Sequence, residues 1–66
     1  MGSNAVETIR QKLLMSKTEL AKKAGVSYLT IDKVEKGKSC RMDTKRKIIL
    51  ALGYKISEKK KVFFED

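Results

Sequence analysis

Apolar residues recur along the chain at steps of three and four positions, and glycines and serines interrupt them at short intervals. Four of the first apolar residues share one face of a helix predicted over residues 5–15. They are Val6, Ile9, Leu13 and Leu14. No stretch alternates apolar and polar residues with a period of two, so the pattern predicts no strands. The chain is therefore expected to fold as a series of short helices.

A second helix is bounded by local signals at both ends. Ser16 and Glu19 form an S-x-x-E capping box, in which the serine hydroxyl accepts a free backbone N–H and the glutamate reaches back to the serine amide. Gly25 follows as a C-terminal stop, because glycine adopts the left-handed conformation without steric strain. These residues predict helix 2 over about residues 17–24.

A third helix follows after a turn of only three residues. Ser27 is its N-cap and Gly37 its stop, which predicts a helix over about residues 28–36. Its inner face combines an apolar residue, Val34, with a charged one, Glu35. A charge on the buried side of a helix requires a partner. Two short helices joined by so tight a turn are typical of a helix-turn-helix.

Two further helices are predicted in the last third of the chain. One covers about residues 42–52 and ends at Gly53, and the other covers about residues 58–64 after a cap at Ser57. The last helix is weakly patterned, because the lysines at 59–61 interrupt its apolar face. The predicted fold class is all-α, a compact bundle of four to five short helices.

The charge balance of the chain favours an anionic partner. Sixteen Lys and Arg residues stand against eight Asp and Glu residues, which gives a formal net charge of +8 on 66 residues. Such an excess suggests nucleic acid, an anionic membrane or an acidic protein, and the alternative is a solvated basic surface that keeps a small protein in solution. The length allows one domain, which we place at residues 6–66, after a tail or expression remnant at residues 1–5.

The composition also argues against several functions. The chain has no histidine and one cysteine, Cys40, so it offers no zinc cluster and no thiol activated by histidine, and no phosphate-binding loop motif is present. We predict that the protein is not an enzyme and that it binds no metal or cofactor. No apolar run approaches the roughly 20 residues needed to span a bilayer. A lone cysteine suits a reducing compartment, which predicts a cytoplasmic protein without a membrane partner.

The stretch MSKTELAKKAGVSYLTIDKVEKGK resembles the phage-repressor and Cro-like helix-turn-helix family, also called the XRE family. Many fixed spacings agree at once, and the resemblance extends from Arg10 to Gly53, which is most of the chain. The matching residues within the stretch are Ser16, Glu19, Leu20, Ala21, Gly25, Val26, Ser27, Thr30, Ile31, Val34, Glu35, Gly37 and Lys38. The resemblance implies a lambda-repressor-like fold, sequence-specific binding of double-stranded DNA and a role as a transcriptional regulator of the repressor type.

The resemblance also implies which side chains read the DNA. In this family the second helix of the motif lies in the major groove, and side chains near its N-terminus reach base edges. The base readers by resemblance are Ser27, Tyr28, Leu29 and Lys33. The chain departs from relatives with glutamine at the first two helical positions, since neither Tyr28 nor Leu29 can make the paired amide contact to adenine. The alternative is that one of them folds back onto the core.

Phosphate contacts are expected at the start of helix 2, where free backbone N–H groups meet the positive end of the helix dipole, and in the loop after the third helix. The residues are Lys17, Thr18, Lys38, Ser39 and Arg41. The resemblance further implies a salt bridge between Arg10 of the first helix and Glu35 of the third. The alternative is a pair of solvated surface charges.

A reader of 66 residues makes few base contacts, and such proteins bind palindromic operators as two-fold dimers. The candidate dimer surface is the C-terminal part, with Tyr54, Ile56, Val62, Phe63 and Phe64. The alternative is that these residues close the core of the monomer. The competing function is that of an antitoxin-like or other protein-interaction module, for which DNA binding is secondary and the main partner is a protein.

Overall fold

Short helices and tight turns make up the whole of the part of the chain that the structure describes. The computed structural model describes residues 4–64. The elements are α1 (Val6–Lys12), α2 (Lys17–Ala24), α3 (Tyr28–Glu35), α4 (Met42–Ala51), a 3-10 turn (Ile56–Glu58) and α5 (Lys59–Val62). Between residues 4 and 64 the only β-type pairing is an isolated antiparallel bridge of Asn4 with Phe63. The predicted all-α class is confirmed.

The ends of α2 follow from side chains within one turn of each end. The Glu19 amide donates to Ser16 Oγ over 3.0 Å, and the Ser16 amide donates to Glu19 Oε1 over 2.9 Å, so the predicted capping box is present. Gly25 ends the helix with φ at 72°, in the left-handed region. A Cβ atom at Gly25 would meet no neighbour within 4 Å, so the backbone conformation alone favours glycine there.

The turn from α2 to α3 is held by a backbone bond and a second cap. The Val26 amide donates to the carbonyl of Ala21 over 3.0 Å. The Thr30 amide donates to Ser27 Oγ over 3.2 Å, which places the start of α3 directly after Ser27. Because both bonds are local, the crossing of the two helices begins from a defined turn.

One buried cluster joins all the helices, with α2 packed against both α3 and α4. The largest fully buried side chains are Leu20, Ile31, Ile48, Val6, Val34 and Val62. Ala21 and Ala24 are buried as well, and their small side chains let α2 approach its neighbours closely. The inner faces of α2 and α3 therefore form part of a core shared with the rest of the bundle.

The first helix is shorter than predicted. It ends at Lys12, and Leu13 and Leu14 do not continue its buried face, since they are 49% and 90% exposed. The chain reverses here because the Met15 amide donates to the carbonyl of Arg10 over 3.1 Å, and Leu14 takes a positive φ of 57°. The prediction that both leucines belong to the apolar face of α1 was wrong.

Leu14 is expected to limit stability, because a leucine in the left-handed conformation costs about 1–2 kcal/mol and its exposed side chain contributes little burial. Leu14→Gly removes that strain but adds about 0.4–1 kcal/mol of unfolded-state entropy. The net gain is about 0.5–1 kcal/mol, or a thermal midpoint about 2–8 °C higher. Leu13→Gly is the matched control: Leu13 has a φ of −87°, so that change should destabilise in the same melting experiment. Equal effects of the two changes would contradict the strain.

The C-terminal helix is broken into two short pieces, the 3-10 turn and α5, instead of one helix over residues 58–64. Ser57 is not its cap; Glu58 Oε1 accepts the Lys55 amide over 2.9 Å instead. Val62 and Phe63 are buried in the common core. The lysines at 59–61 are exposed, as their poor apolar pattern indicates.

The N-terminal end of the described chain contacts this C-terminal segment. The Ala5 amide donates to the carbonyl of Val62 over 2.7 Å, and the Asn4 side-chain amide donates to the carbonyl of Val34 over 2.8 Å. Asn4 Oδ1 also accepts the Val6 amide over 3.1 Å at the start of α1. Residues 1–3 of the predicted tail lie outside the described residues, whereas its last two residues hydrogen-bond to the domain.

Candidate nucleic-acid interface

The outer face of α3 is open while its inner face is buried. Tyr28 is 49% exposed and Leu29 is 64% exposed, so neither folds back into the core. Lys33 is exposed one turn further along the same helix. Ile31 and Val34 are buried on the opposite side. Three of the four predicted base readers therefore lie on the accessible side of a helix whose other side is held by the core.

Ser27, the fourth predicted base reader, already has local partners. Its hydroxyl accepts the Thr30 amide and lies 2.9 Å from Thr30 Oγ1. Although the residue is exposed, this hydroxyl serves as the cap of α3. A base contact from Ser27 Oγ would compete with that cap.

Lys17, at the start of α2, is held by two side chains of α3. Its Nζ lies 2.8 Å from Asp32 Oδ1 and 5.9 Å from the centre of the Tyr28 ring. The second carboxylate oxygen of Asp32 lies 3.0 Å from Lys36 Nζ. Asp32 thus bridges two cations at the surface where DNA is expected.

Of this Asp32 cluster, made of Lys17, Asp32 and Lys36, the sequence-based set of site residues contains Lys17 alone. The i,i+4 spacing of Asp32 and Lys36 is a detectable signal for half of it. The pairing with Lys17 depends on the packing of α2 against α3 and has no local signature.

The charges of Lys17 and Asp32 each favour the ionised form of the other group. The hydrogen bond to Asp32 raises the pKa of Lys17, and the hydrogen bonds from Lys17 and then Lys36 lower the pKa of Asp32. A carboxylate with a lowered folded-state pKa stabilises the fold above the ordinary aspartate pKa. That contribution is lost as the pH falls through the lowered value. Lys17 and Asp32 therefore favour their charged forms at neutral pH.

The remaining predicted phosphate binders are exposed and lie at two places. Thr18 is in the first turn of α2, and the other three are in the loop between α3 and α4. These loop residues are Lys38, Ser39 and Arg41. The Lys38 amide donates to the carbonyl of Lys33 over 3.1 Å, which ties the start of the loop to the last turn of α3. The backbone at the start of this loop is thereby fixed to the helix that carries the candidate base readers.

Arg10 and Glu35 form a buried ion pair that joins α1 to α3. Arg10 Nε lies 2.7 Å from Glu35 Oε2, and Nη2 donates to Oε1 over 3.3 Å. Arg10 Nη1 donates to the carbonyl of Met15 over 2.8 Å. The guanidinium therefore also provides a hydrogen-bond donor for a carbonyl in the turn before α2. The two side chains are only 10% and 4% exposed. The hydrogen bond to Glu35 raises the pKa of Arg10, against the opposing effect of burial.

The candidate dimer surface is only partly accessible. Val62 and Phe63 are buried in the monomer, so they close the core as the alternative interpretation held. Tyr54 is half-buried against the same core. Ile56 and Phe64 are 41% and 59% exposed. Two apolar side chains of the five therefore remain at the surface.

Residues 4–64 offer little basis for a metal site, a membrane span or a reactive thiol. They contain no group of three or more acidic or cysteine side chains placed to hold a metal ion. Within the same range, no helix combines the length and the apolar character needed to cross a membrane. Cys40 is half-buried, and desolvation raises the pKa of its thiol, which disfavours the reactive thiolate.

An exposed outer helix, a glycine turn and a cationic flank define the class of helix-turn-helix DNA-binding proteins. The family model described as helix-turn-helix matches residues 6–59, and the chain belongs to this family. The predicted XRE-type resemblance is thus confirmed. No curated protein matches the chain. As a member of the family, the protein is a transcription regulator that binds double-stranded DNA.

Proposed function

We propose that the protein is a sequence-specific repressor that lays α3 in the major groove of a palindromic DNA operator. The observation that carries this proposal is the division of α3 into an open outer face and an inner face held by the core and by the Arg10–Glu35 pair. A helix fixed in this way can be presented to the groove without reordering the backbone. Such preorganisation favours selective binding.

The exposed side chains of α3 suit a defined set of base contacts. Leu29 can pack against the methyl group of thymine, and Lys33 can donate to O6 and N7 of guanine. Tyr28 lies beside Lys17 at the edge of the helix, a position from which its hydroxyl can donate to a phosphate or a sugar. We propose Leu29 and Lys33 as the main base readers.

The proposed phosphate contacts lie on α2 and in the loop after α3. The first turn of α2 offers free N–H groups, with Lys17 and Thr18 beside them. Lys38, Ser39 and Arg41 extend from the loop tied to the end of α3. Contacts at two separate places on the domain would set the orientation of α3 relative to the groove.

We further propose a homodimer that brings two copies of α3 to successive turns of the duplex. The two exposed apolar side chains of the C-terminal part, Ile56 and Phe64, support this proposal. The number of base contacts that one short helix can make also supports it. The proposed setting is the cytoplasm, where the DNA is accessible.

Selection from a random duplex pool at about 0.15 M salt tests the proposal. An enriched palindrome with half-sites about one helical turn apart is the expected result, followed by tight binding of that duplex and weak binding of a scrambled one. Enrichment of a single half-site would support sequence-specific binding by α3 and contradict the proposed dimer. Absence of any enriched motif, with affinity that falls with salt on every duplex, would overturn the proposal of sequence specificity.

Lys33→Ala is expected to weaken binding to the selected duplex by about 5- to 150-fold, the equivalent of about 1–3 kcal/mol for a good base contact. The preference for one base over the others should weaken at a single position of the site. The preferences at the other positions should remain, because the phosphate contacts are unchanged. Lys60→Ala removes an equally exposed lysine from α5 and serves as the matched control. A uniform small loss on every duplex for both variants would contradict base reading by Lys33.

The competing protein-interaction function is favoured by an apolar groove between α4 and the C-terminal segment. The groove has a volume of about 280 Å³, and its lining combines apolar and basic side chains, among them Met42, Ile49 and Phe63 with Lys45, Arg46 and Lys59. A protein partner that binds this groove would be retained on the protein at high salt, where nonspecific DNA is released. Selection without a motif, together with such a partner, would favour this antitoxin-like role.

A further inference from the structure

The carboxylate of Asp32 lies on the outer side of the helix-turn-helix, between two cations. One oxygen is 2.8 Å from Lys17 Nζ and the other is 3.0 Å from Lys36 Nζ. The Asp32 side chain is 21% exposed, Lys17 is 29% exposed and Lys36 is 64% exposed. An anion at this place on a protein that binds a polyanion requires an explanation.

We propose that Asp32 restrains Lys17 from contacting DNA phosphate on random sequences and thereby determines the selectivity of the interface. This inference rests on the proposed function, since it requires that the outer face of α3 binds the duplex and prefers one DNA sequence. It assigns Asp32 a positioning role that the sequence-based set of site residues does not contain.

The restraint follows from competition between two anions for one ammonium group. Within the described residues, the one salt bridge of Lys17 is with Asp32, which belongs to α3 itself. A phosphate near Lys17 must compete with a carboxylate already at hydrogen-bonding distance and must also approach that carboxylate's negative charge. On a random duplex nothing offsets the cost of bringing a phosphate close to Asp32. Lys17 should therefore contribute little to the affinity for such DNA.

The selected site should change this balance. Base contacts of α3 would bring the backbone close to the start of α2 and hold a phosphate there. Lys36 lies on the other oxygen of Asp32, so the carboxylate keeps one cation when Lys17 leaves. The exchange therefore leaves no unpaired charge. Lys17 should contribute to binding on the selected site alone, which increases the ratio of specific to nonspecific affinity.

When the logarithm of the association constant is plotted against the logarithm of the salt concentration, the line falls with a slope of about 0.9 per contacted phosphate on B-form DNA. This slope therefore measures the number of phosphates that the protein contacts. We would measure this slope on a scrambled duplex between about 50 and 200 mM salt for four proteins. They are the wild type, Lys17→Met, Asp32→Asn and the double variant. The expected result is almost no change in slope from Lys17→Met in the wild type. In the Asp32→Asn background, the same substitution should reduce the slope by about 0.9.

Asp32→Asn alone should steepen the slope by about 0.9 to 1.8, because it frees one or two lysines. It should also raise affinity for the scrambled duplex more than for the selected one. Asp43→Asn is the matched control: Asp43 also lies near two cations, 3.8 Å from Arg46 Nη1 and 3.4 Å from Lys47 Nζ. If Asp43→Asn steepens the slope as much, net charge explains the effect and the proposal is overturned.

A comparison of two single variants keeps the proposal testable if Asp32→Asn does not fold, which circular dichroism would reveal. Lys17→Met should leave the slope on the scrambled duplex unchanged, while Lys38→Met, from the exposed loop, should lower it by about 0.9. Equal losses from both variants would overturn the restraint. Failure to select any preferred sequence would instead overturn the proposed specificity, since these slopes need no preferred site.

Discussion

Arg10→Met should be among the most destabilising single substitutions in this protein, with a loss of about 3–5 kcal/mol. The substitution keeps a long side chain but leaves the Glu35 carboxylate, which is 4% exposed, without its partner. It also removes the donor to the carbonyl of Met15 at the turn before α2. For a domain of this size the thermal midpoint should fall by at least about 12 °C.

Two controls separate the buried pair from a general charge effect. Lys47→Met breaks an exposed ion pair with Asp43 and should change stability by less than about 1 kcal/mol. The double variant Arg10→Met with Glu35→Leu removes both charges and should recover much of the loss, because no buried charge remains unpaired. A thermal midpoint for Arg10→Met within about 2 °C of the wild type would contradict this prediction. It would show that the Glu35 carboxylate is hydrated in the folded variant.

Leu20→Ala is expected to cost about 2–5 kcal/mol, the range for a leucine truncated in a packed core. Leu20 is fully buried on α2, the helix that packs against both α3 and α4. The cavity would therefore lie where the two helices of the DNA-binding motif meet the rest of the core. Chemical denaturation gives the free energy of unfolding directly.

The same truncation at Leu50 is the matched control. Leu50 lies on α4 and is 55% exposed, so Leu50→Ala should cost well under about 1 kcal/mol. DNA binding provides a second readout. The measurement is made at a temperature where Leu20→Ala remains mostly folded. The factor by which its apparent affinity for DNA falls should then equal the factor by which its folded fraction falls. A larger loss would mean that the cavity also changes the position of α3.

The helix-turn-helix was predictable in detail because its limits are local. Ser16 and Glu19 cap α2, Gly25 ends it and Ser27 caps α3, and each acts over three residues or fewer. The outer face of α3 follows from the same limits, since the apolar spacing determines which side is buried. The charge excess and the absence of histidine follow directly from the amino-acid composition.

The pairing of Arg10 with Glu35 has a different basis. The residues are 25 positions apart, and their spacing carries no signal of contact. A family resemblance implied the pairing, whereas local pattern showed only that a charge lay on the inner face of α3. The distances in the structure add the Met15 carbonyl, which no pattern indicated.

The apolar pattern alone did not determine several features. Leu13 and Leu14 continue an apolar rhythm, yet they are exposed because a backbone bond from Met15 to Arg10 reverses the chain there. Phe63 is buried next to an N-terminal residue, Asn4, with which it forms the isolated bridge. In each case the apolar pattern is compatible with more than one packing.

The sequence by itself determined the class of fold, the limits of α2 and α3 and the helix that faces outward, because capping and apolar spacing act within one or two turns. Only the tertiary structure decided where α1 ends, which C-terminal residues are buried and that Asp32 pairs with Lys17. Lys17 and Asp32 lie 15 residues apart on different helices. Their 2.8 Å contact exists because the packing of α2 against α3 brings those two positions together.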